Sequence, residues 1–316
     1  MKKFICILLA ILSISTLLFG CSKNNVRNDT TDDNVFENYN DVNSNTEQEA
    51  IYIDSGIVDY ENVNLEYNGK PIEFDYKYNS SANCEMGLQL FVNGILQKFS
   101  VDGENYNLYK VNCKSNKDEI FHVSFTPNNG TKGETASLIF ANIYNPEIIE
   151  FKGEVNTFGN YHKISQSMPW GIKMKEDVDA GNFKISSAYE KHKFTKEELN
   201  KFIRTNVDGS KTNILNEKMF FDTSKDIERI SKNNDKTVTF NLYGNLVGKY
   251  RISLYGDFEQ ININSYNYID IEVQKNTQYS VSFPIEMIER YKNIYAVAVS
   301  LDNTEGLIKS NSYYVE

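Results

Sequence analysis

Four cysteines, three histidines and a single tryptophan are the rarest chemistry-bearing residues of this 316-residue chain. Cys84 and Cys113 are a candidate disulfide wherever the compartment is oxidising. Two arrangements stay open for them. A meander over residues 85–112 would put them at opposite ends of a sheet, roughly 25 Å apart at ~3.3 Å per residue, beyond the ~7 Å a bridge tolerates. A crossover to a second sheet would bring them together. His122, His162 and His192 have no second His, Cys or Asp at a ligand spacing, so no metal site is expected, and His122 reads as an exposed residue alternating out of its strand. Asp177-Val178-Asp179-Ala180-Gly181-Asn182 opens like a calcium loop. Its Gly and Asn are in the wrong order, though, and Ala188 stands where a bidentate Glu is required, so it reads as a turn.

Trp170, within Met168-Pro169-Trp170-Gly171, allows two roles. On an exposed turn it could stack on a ligand such as a sugar ring; its size favours instead a plug buried between domains. Tyr243, Tyr255, Tyr266 and Tyr268 likewise offer either a binding stripe or cross-strand packing partners, and packing is the expected role. No Gly-x-Ser-x-Gly elbow, phosphate loop, dinucleotide fingerprint or His-Glu-x-x-His helix occurs. No catalytic or cofactor-binding residues are therefore assigned, and among 43 acidic residues the sequence selects no carboxylate pair for glycoside hydrolysis. A formal charge of -10 disfavours nucleic acid as a partner.

The elements that carry these residues read as strands. The chain is 40% hydrophobic with 21 Tyr and 19 Phe but 5 Pro, a composition suited to pleated surfaces. Met86, Leu88, Leu90 and Val92 alternate on one face, as do Phe121, Val123 and Phe125, which predicts half-buried strands. Asn93-Gly94 predicts a type I′ hairpin. Further strands are expected at 63–68, 71–78, 95–101, 105–112 and 135–143, giving an N-terminal β-sandwich over 51–149. A second β-sandwich over 237–316 follows from Val238-Phe240-Leu242, Tyr250-Ile252-Leu254, Ile269-Ile271-Val273, Tyr279-Val281-Phe283 and Tyr295-Val297-Val299-Leu301, with an end strand at 311–315. Pro284 opens a single helical turn before the last of these sets. Between the sandwiches, 150–236 is a mixed connecting region with strands expected at 150–158 and 183–189. There Thr195-Lys196-Glu197-Glu198 matches a capping box and predicts a short α-helix over 196–206.

At the N-terminus, Lys2 and Lys3 precede an uncharged apolar run, Phe4 to Phe19, that ends at Gly20-Cys21. This is the layout of an export signal over 1–20. Leu18-Phe19-Gly20-Cys21 resembles the lipobox of bacterial lipoproteins, which implies that Cys21 is the lipidation site, its thiol carrying diacylglycerol as the first mature residue. Residues 22–50 hold eight Asn, seven acidic and two basic residues, and are expected to form, with Cys21, a disordered acidic tether over 21–50. The 29 residues of 22–50 would reach roughly 30 Å r.m.s..

Together with the lipobox, the strand pattern and the Leu90-Phe91-Val92-Asn93-Gly94 hairpin make the body resemble bacterial surface lipoproteins with tandem immunoglobulin-like modules. The expected fold is mainly β, two immunoglobulin-like sandwiches with a short helix between them. The expected role is a lipid-anchored, extracytoplasmic, non-catalytic interaction module for an unknown protein or polysaccharide. The alternative is a glycan-binding or glycan-processing lipoprotein of the cell surface.

Overall fold

The run Ile72-Glu73-Phe74-Asp75-Tyr76-Lys77-Tyr78 has a side-chain period of two, and it folds accordingly: Ile72, Phe74, Tyr76 and Tyr78 are buried, Glu73 and Asp75 exposed. The same rule builds most of the chain. A computed structural model describes residues 52–147, 164–166, 169–178, 186, 188–223, 229–263, 267–302 and 306–316. The expected strand at 150–158 and most of that at 183–189 lie outside these residues.

The first sandwich comprises β1 (Ile53–Ile57), β2 (Glu66–Tyr67), β3 (Ile72–Ser80), β4 (Cys84–Val92), β5 (Ile95–Gln97), β6 (Phe99–Val101), β7 (Glu104–Tyr106), β8 (Tyr109–Cys113), β9 (Asp118–Phe125), β10 (Thr135–Tyr144), β11 (Ile164–Gln166) and β12 (Trp170–Met174). One sheet runs β1-β3-β9-β6-β7. The other runs β2-β12-β10-β4-β5, with β8 also on β4 and β11 also on β10.

The second unit of structure follows with β13 (Glu190–Lys193), α1 (Lys196–Asn200), β14 (Ile203–Thr205), β15 (Lys211–Asn213), β16 (Phe220–Thr223), β17 (Arg229–Ile230), β18 (Thr237–Gly244), β19 (Gly248–Gly256), β20 (Glu259–Gln260), β21 (Ile269–Val273), β22 (Thr277–Pro284), β23 (Asn293–Ser300), β24 (Leu307–Lys309) and β25 (Tyr313–Val315). Its sheets run β13-β22-β18-β16 and β17-β25-β23-β19-β20, with β21 on β19 and β24 on β23. The fold is mainly β, in two sandwiches, and the strand order is compatible with the immunoglobulin-like arrangement. Residues 150–236 contribute to both sandwiches: β11 and β12 to the first, β13, β16 and β17 to the second.

The second sandwich repeats the topology of the first. Strands β16 to β25 pair as β1 to β5 and β8 to β12 do, including the parallel contacts of β2 with β12 and of β17 with β25. The ladders match residue for residue: Val92 faces Leu138 and Met86 faces Tyr144 on β4 and β10, while Gly256 faces Ile294 and Tyr250 faces Ser300 on β19 and β23. Both hairpin turns have two successive residues at positive φ, Asn93-Gly94 and Asp257-Phe258. This is the type I′ geometry expected for the first.

Burial on both faces corrects the expectation of a half-buried strand for β4, and β23 is likewise buried on both faces. On β4, Met86, Leu88, Leu90 and Val92 face the first sandwich's core, whereas Phe91 faces the other way, into a third apolar layer. Ile139, Ala141 and Ile143 of β10 join Phe91 there, and meet Tyr255 of β19 with Tyr295, Val297 and Val299 of β23. The two sandwiches thus pack sheet on sheet. Phe91 and Tyr255, equivalent positions in the repeat, touch edge to face at 6.0 Å. An interface between equivalent surfaces has the logic of a two-fold dimer, here within one chain. The set Tyr295-Val297-Val299 therefore does not line the second sandwich's own core; Ile294, Ala296 and Ala298 do.

The helix is shorter than expected. Thr195 Oγ1 accepts from the Glu198 amide and the Glu198 carboxylate accepts from the Thr195 amide, completing the capping box. The chain leaves the helix at Lys201, however, because β-branched Ile203 and Thr205 pair with Asn213 and Lys211 across a turn whose Gly209 sits at φ 80°. Pro284 caps a 3₁₀ turn at Ile285–Met287.

Candidate functional site

Two polar devices lock the interface between the sandwiches, and the alternation of residues explains both. Gln89 and Arg251 occupy the outward positions of strands whose neighbours Leu88, Leu90, Tyr250 and Ile252 face inward. Because another sheet covers those outward positions, the polar groups must find partners there. The Gln89 amide donates to Phe258 O at 3.2 Å, and its oxygen accepts from the Tyr295 hydroxyl at 3.2 Å. Arg251 donates Nε to Asp270 Oδ1 at 2.8 Å, Nη2 to Oδ2 at 3.0 Å and Nη1 to Asn93 O at 2.9 Å. The Tyr268 ring covers its guanidinium at 3.9 Å. Gly94 serves the same contact: it holds φ 74°, and a Cβ there would lie 3.2 Å from both Arg251 Cβ and Val299 Cβ. Burial holds the Tyr255 and Tyr295 hydroxyls far above the usual phenol range, so both stay protonated.

With those faces buried, the exposed sheet surfaces are the two outermost. On the β13-β22-β18-β16 sheet, Asn241 Oδ1 accepts from Ser280 Oγ at 2.8 Å and Gln278 Nε2 at 3.2 Å. Beside them Tyr243 stacks on Phe220 at 5.3 Å, with Phe194 and Phe202 at 6.0 and 5.6 Å. The Tyr243 hydroxyl donates to Asp222 Oδ2 at 2.7 Å. Burial raises the Asp222 carboxyl above its ordinary range, opposed by the hydrogen bonds from Tyr243 and Asn241. At the patch rim His192 contacts Glu198 at 2.9 Å; the Thr195 amide, then His192, hold that carboxyl below its ordinary range. On the other outermost sheet Asp75 pairs with His122 at 2.9 Å, both exposed. An open depression lined by Pro71, Lys98, Asn105, Asn107 and Thr126 has no carboxylate in its wall.

The residues singled out by sequence are scattered. Cys21, His162 and Tyr266 lie outside the described residues. Cys84 and Cys113 face one another directly across the β4–β8 ladder, so the meander that would separate them does not form. After β5 the chain crosses to the opposite sheet as β6 and β7 and returns as β8 to the same edge of β4. Of the tyrosine stripe, Tyr255 and Tyr268 are buried and Tyr243 lies on a different sheet. Asp177 Oδ1 accepts from the Lys132 amide at 2.8 Å, and among the described residues no three acidic, Cys or His side chains cluster as metal ligands.

Trp170 belongs to the first sandwich and is no plug between the two. It is half-buried, at the end of the inward set Trp170-Ile172-Met174 on β12, with Tyr60 edge-on at 5.7 Å. Trp170→Ala is expected to lower stability by about 2–3 kcal/mol in urea unfolding, somewhat less than a fully buried tryptophan loses. A cost under about 0.5 kcal/mol would show that the ring does not close the sandwich mouth. The sequence carried no distinct signal for the interface, because Gln89 and Arg251 stand at the alternate positions where a half-buried strand is ordinarily polar.

No family model matches the chain, and no curated protein matches it. Among solved structures the chain is remotely similar to red sea bream transglutaminase, with a TM-score of 0.24 and 7% identity over 84% of this chain and 31% of that one. A Ca²⁺-stabilized adhesin that helps an Antarctic bacterium reach out and bind ice gives 0.19 and 10%, over 84% and 48%. The chaperone–tip adhesion subunit complex of archaic Csu pili from Acinetobacter baumannii gives 0.17 and 16%, over 78% and 93%. The chain spans less than two thirds of the length of the first two. At these scores the similarities assign neither a family nor a partner.

Proposed function

We propose that this chain is a lipid-anchored, extracytoplasmic surface protein whose β body is a rigid, non-catalytic interaction module. The observation that carries this reading is the sheet-on-sheet packing of the sandwiches. It buries both faces of β4, β10, β19 and β23 and makes the pair one block instead of two lobes that close on a small ligand. Recognition then falls to the outermost sheet faces and the loops at the sandwich ends. The half-buried Tyr243 and Gln278, flanking the buried Asn241, offer the mixed aromatic and hydrogen-bonding chemistry that suits a protein or polysaccharide partner. The lipobox-like Leu18-Phe19-Gly20-Cys21 supplies the attachment, since acyl chains contribute about 0.8 kcal/mol per buried methylene and two or more anchor stably. The acidic residues of 22–50 would hold the body off an anionic bilayer.

Fractionation of cells expressing Cys21→Ser tests the anchor: the wild type should pellet with membranes and the variant should appear in the soluble extracytoplasmic fraction. A variant that still pellets overturns lipidation at Cys21. For the body, retention of surface partners by the anchored residues 1–50 alone, at the level of the full chain, would defeat the interaction role.

A further inference from the structure

Cys84 opens β4 and Cys113 closes β8, and the antiparallel register sets them directly opposite each other. Directly opposed residues in such a ladder have Cα atoms about 4.5–5.5 Å apart, within the ~4.4–6.8 Å that a disulfide spans. The repeat supplies an internal contrast. The equivalent ladder position in the second sandwich is Gly248 facing Val273, which cannot be linked. The segment closed by the cysteines also differs: residues between Cys84 and Cys113 make the excursion to the opposite sheet as β6 and β7, whereas among the described residues no strand lies between β20 and β21. Access exists from one side. Cys113 is 3% exposed, whereas Cys84 is half-buried, its Sγ 3.4 Å from Ser80 Oγ. Both border an open depression with Asn83, Asn112, Asn145 and Glu147.

We propose that Cys84 and Cys113 form a modification site, a cross-strand disulfide made by exchange with an external disulfide, which staples the edge strand β8 to β4. Cys84, as thiolate, attacks the external disulfide and releases one thiol, leaving a mixed disulfide on Cys84. Cys113 then attacks Cys84 Sγ, its proton leaving with the second external thiol. The two protein thiols lose two electrons and two protons in total, and the external disulfide becomes two thiols. Burial, then the neighbouring Cys84, push the Cys113 thiol up to about 12, which makes Cys84 the point of entry and the closure step the slow one.

The test uses the folded full chain incubated with oxidised glutathione, quenched with a thiol-alkylating reagent and mapped as peptides. The expected product is a Cys84–Cys113 linked peptide pair, about 2 Da lighter than the sum of its reduced parts. The oxidised protein should melt at least about 5 °C above the reduced one. Cys113→Ser should retain one glutathione on Cys84, whereas Cys84→Ser should leave Cys113 unmodified while the fold persists. Alkylation of both cysteines, or glutathione on both, in a chain with native circular dichroism would overturn the bridge. Glutathione on Cys113 in Cys84→Ser would overturn the order of attack, and a linked product with an unchanged melting temperature would overturn the stapling.

Discussion

Asp270→Ala is expected to destabilise the protein by about 3–5 kcal/mol, since it takes from a buried guanidinium the carboxylate that accepts two of its hydrogen bonds. The side chains of Arg251 and Asp270 are 2% and 0% exposed, and the carboxylate receives two of the guanidinium's hydrogen bonds. Arg251 also donates to the Asn93 carbonyl of the opposite sandwich and lies against the Tyr268 ring. The damage should therefore fall on the interface and on the second sandwich together. Arg251→Met combined with Asp270→Leu should cost less than Asp270→Ala alone: it removes both charges together, and the hydrogen bond lost at the Asn93 carbonyl carries a penalty of about 1–3 kcal/mol. Urea midpoints at constant m-value measure both. A loss below about 1 kcal/mol for Asp270→Ala would show that the carboxylate does not carry the buried guanidinium.

The pair also shows what the sequence reveals and what it hides. Local chemistry was legible: Asn93-Gly94 does make the two-residue turn, Thr195 and Glu198 do cap α1, and the alternating residues of β9, β18 and β22 do face their cores. Each of these depends on neighbours in the chain. Errors arose wherever a second sheet supplied the environment. In Asn293-Ile294-Tyr295-Ala296-Val297-Ala298-Val299 both alternating sets are apolar, so nothing marks the phase, and the bulkier set faces the other sandwich. A polar residue in a half-buried strand is ordinarily on the wet side, so Gln89 and Arg251 gave no warning of an interface. The cysteine pair depended on pairing partners: β4 gives one edge to two short strands in succession, β5 and then β8, and only strand order carries that information. The repeat escaped for the same reason. Across Met86–Gly94 and Tyr250–Phe258, Leu90 and Leu254 form the one identical pair, while the registers coincide throughout.

Ile139 and Phe140 put the three-layer core to its most direct test, because they are consecutive residues of β10 committed to different layers. Ile139→Asp places a carboxylate between the sandwiches. The cost of burying it unpaired, added to the about 2–5 kcal/mol lost with the isoleucine, exceeds what an unstrained contact retains. The chain can relieve that cost by parting the sheets, since each sandwich keeps its own apolar core. The expected result is two folded sandwiches that no longer pack: an increased radius of gyration in small-angle scattering, with near-native β content in circular dichroism, and two calorimetric transitions where one is expected of the wild type. Phe140→Asp puts the same charge inside the first sandwich, where no such relief exists. It should unfold that sandwich and remove the corresponding dichroism. Identical behaviour of the two variants would refute the layer assignment. Separation by Ile139→Asp alone would establish that the sandwiches cohere through the face formed by Phe91, Ile139, Tyr255 and Tyr295.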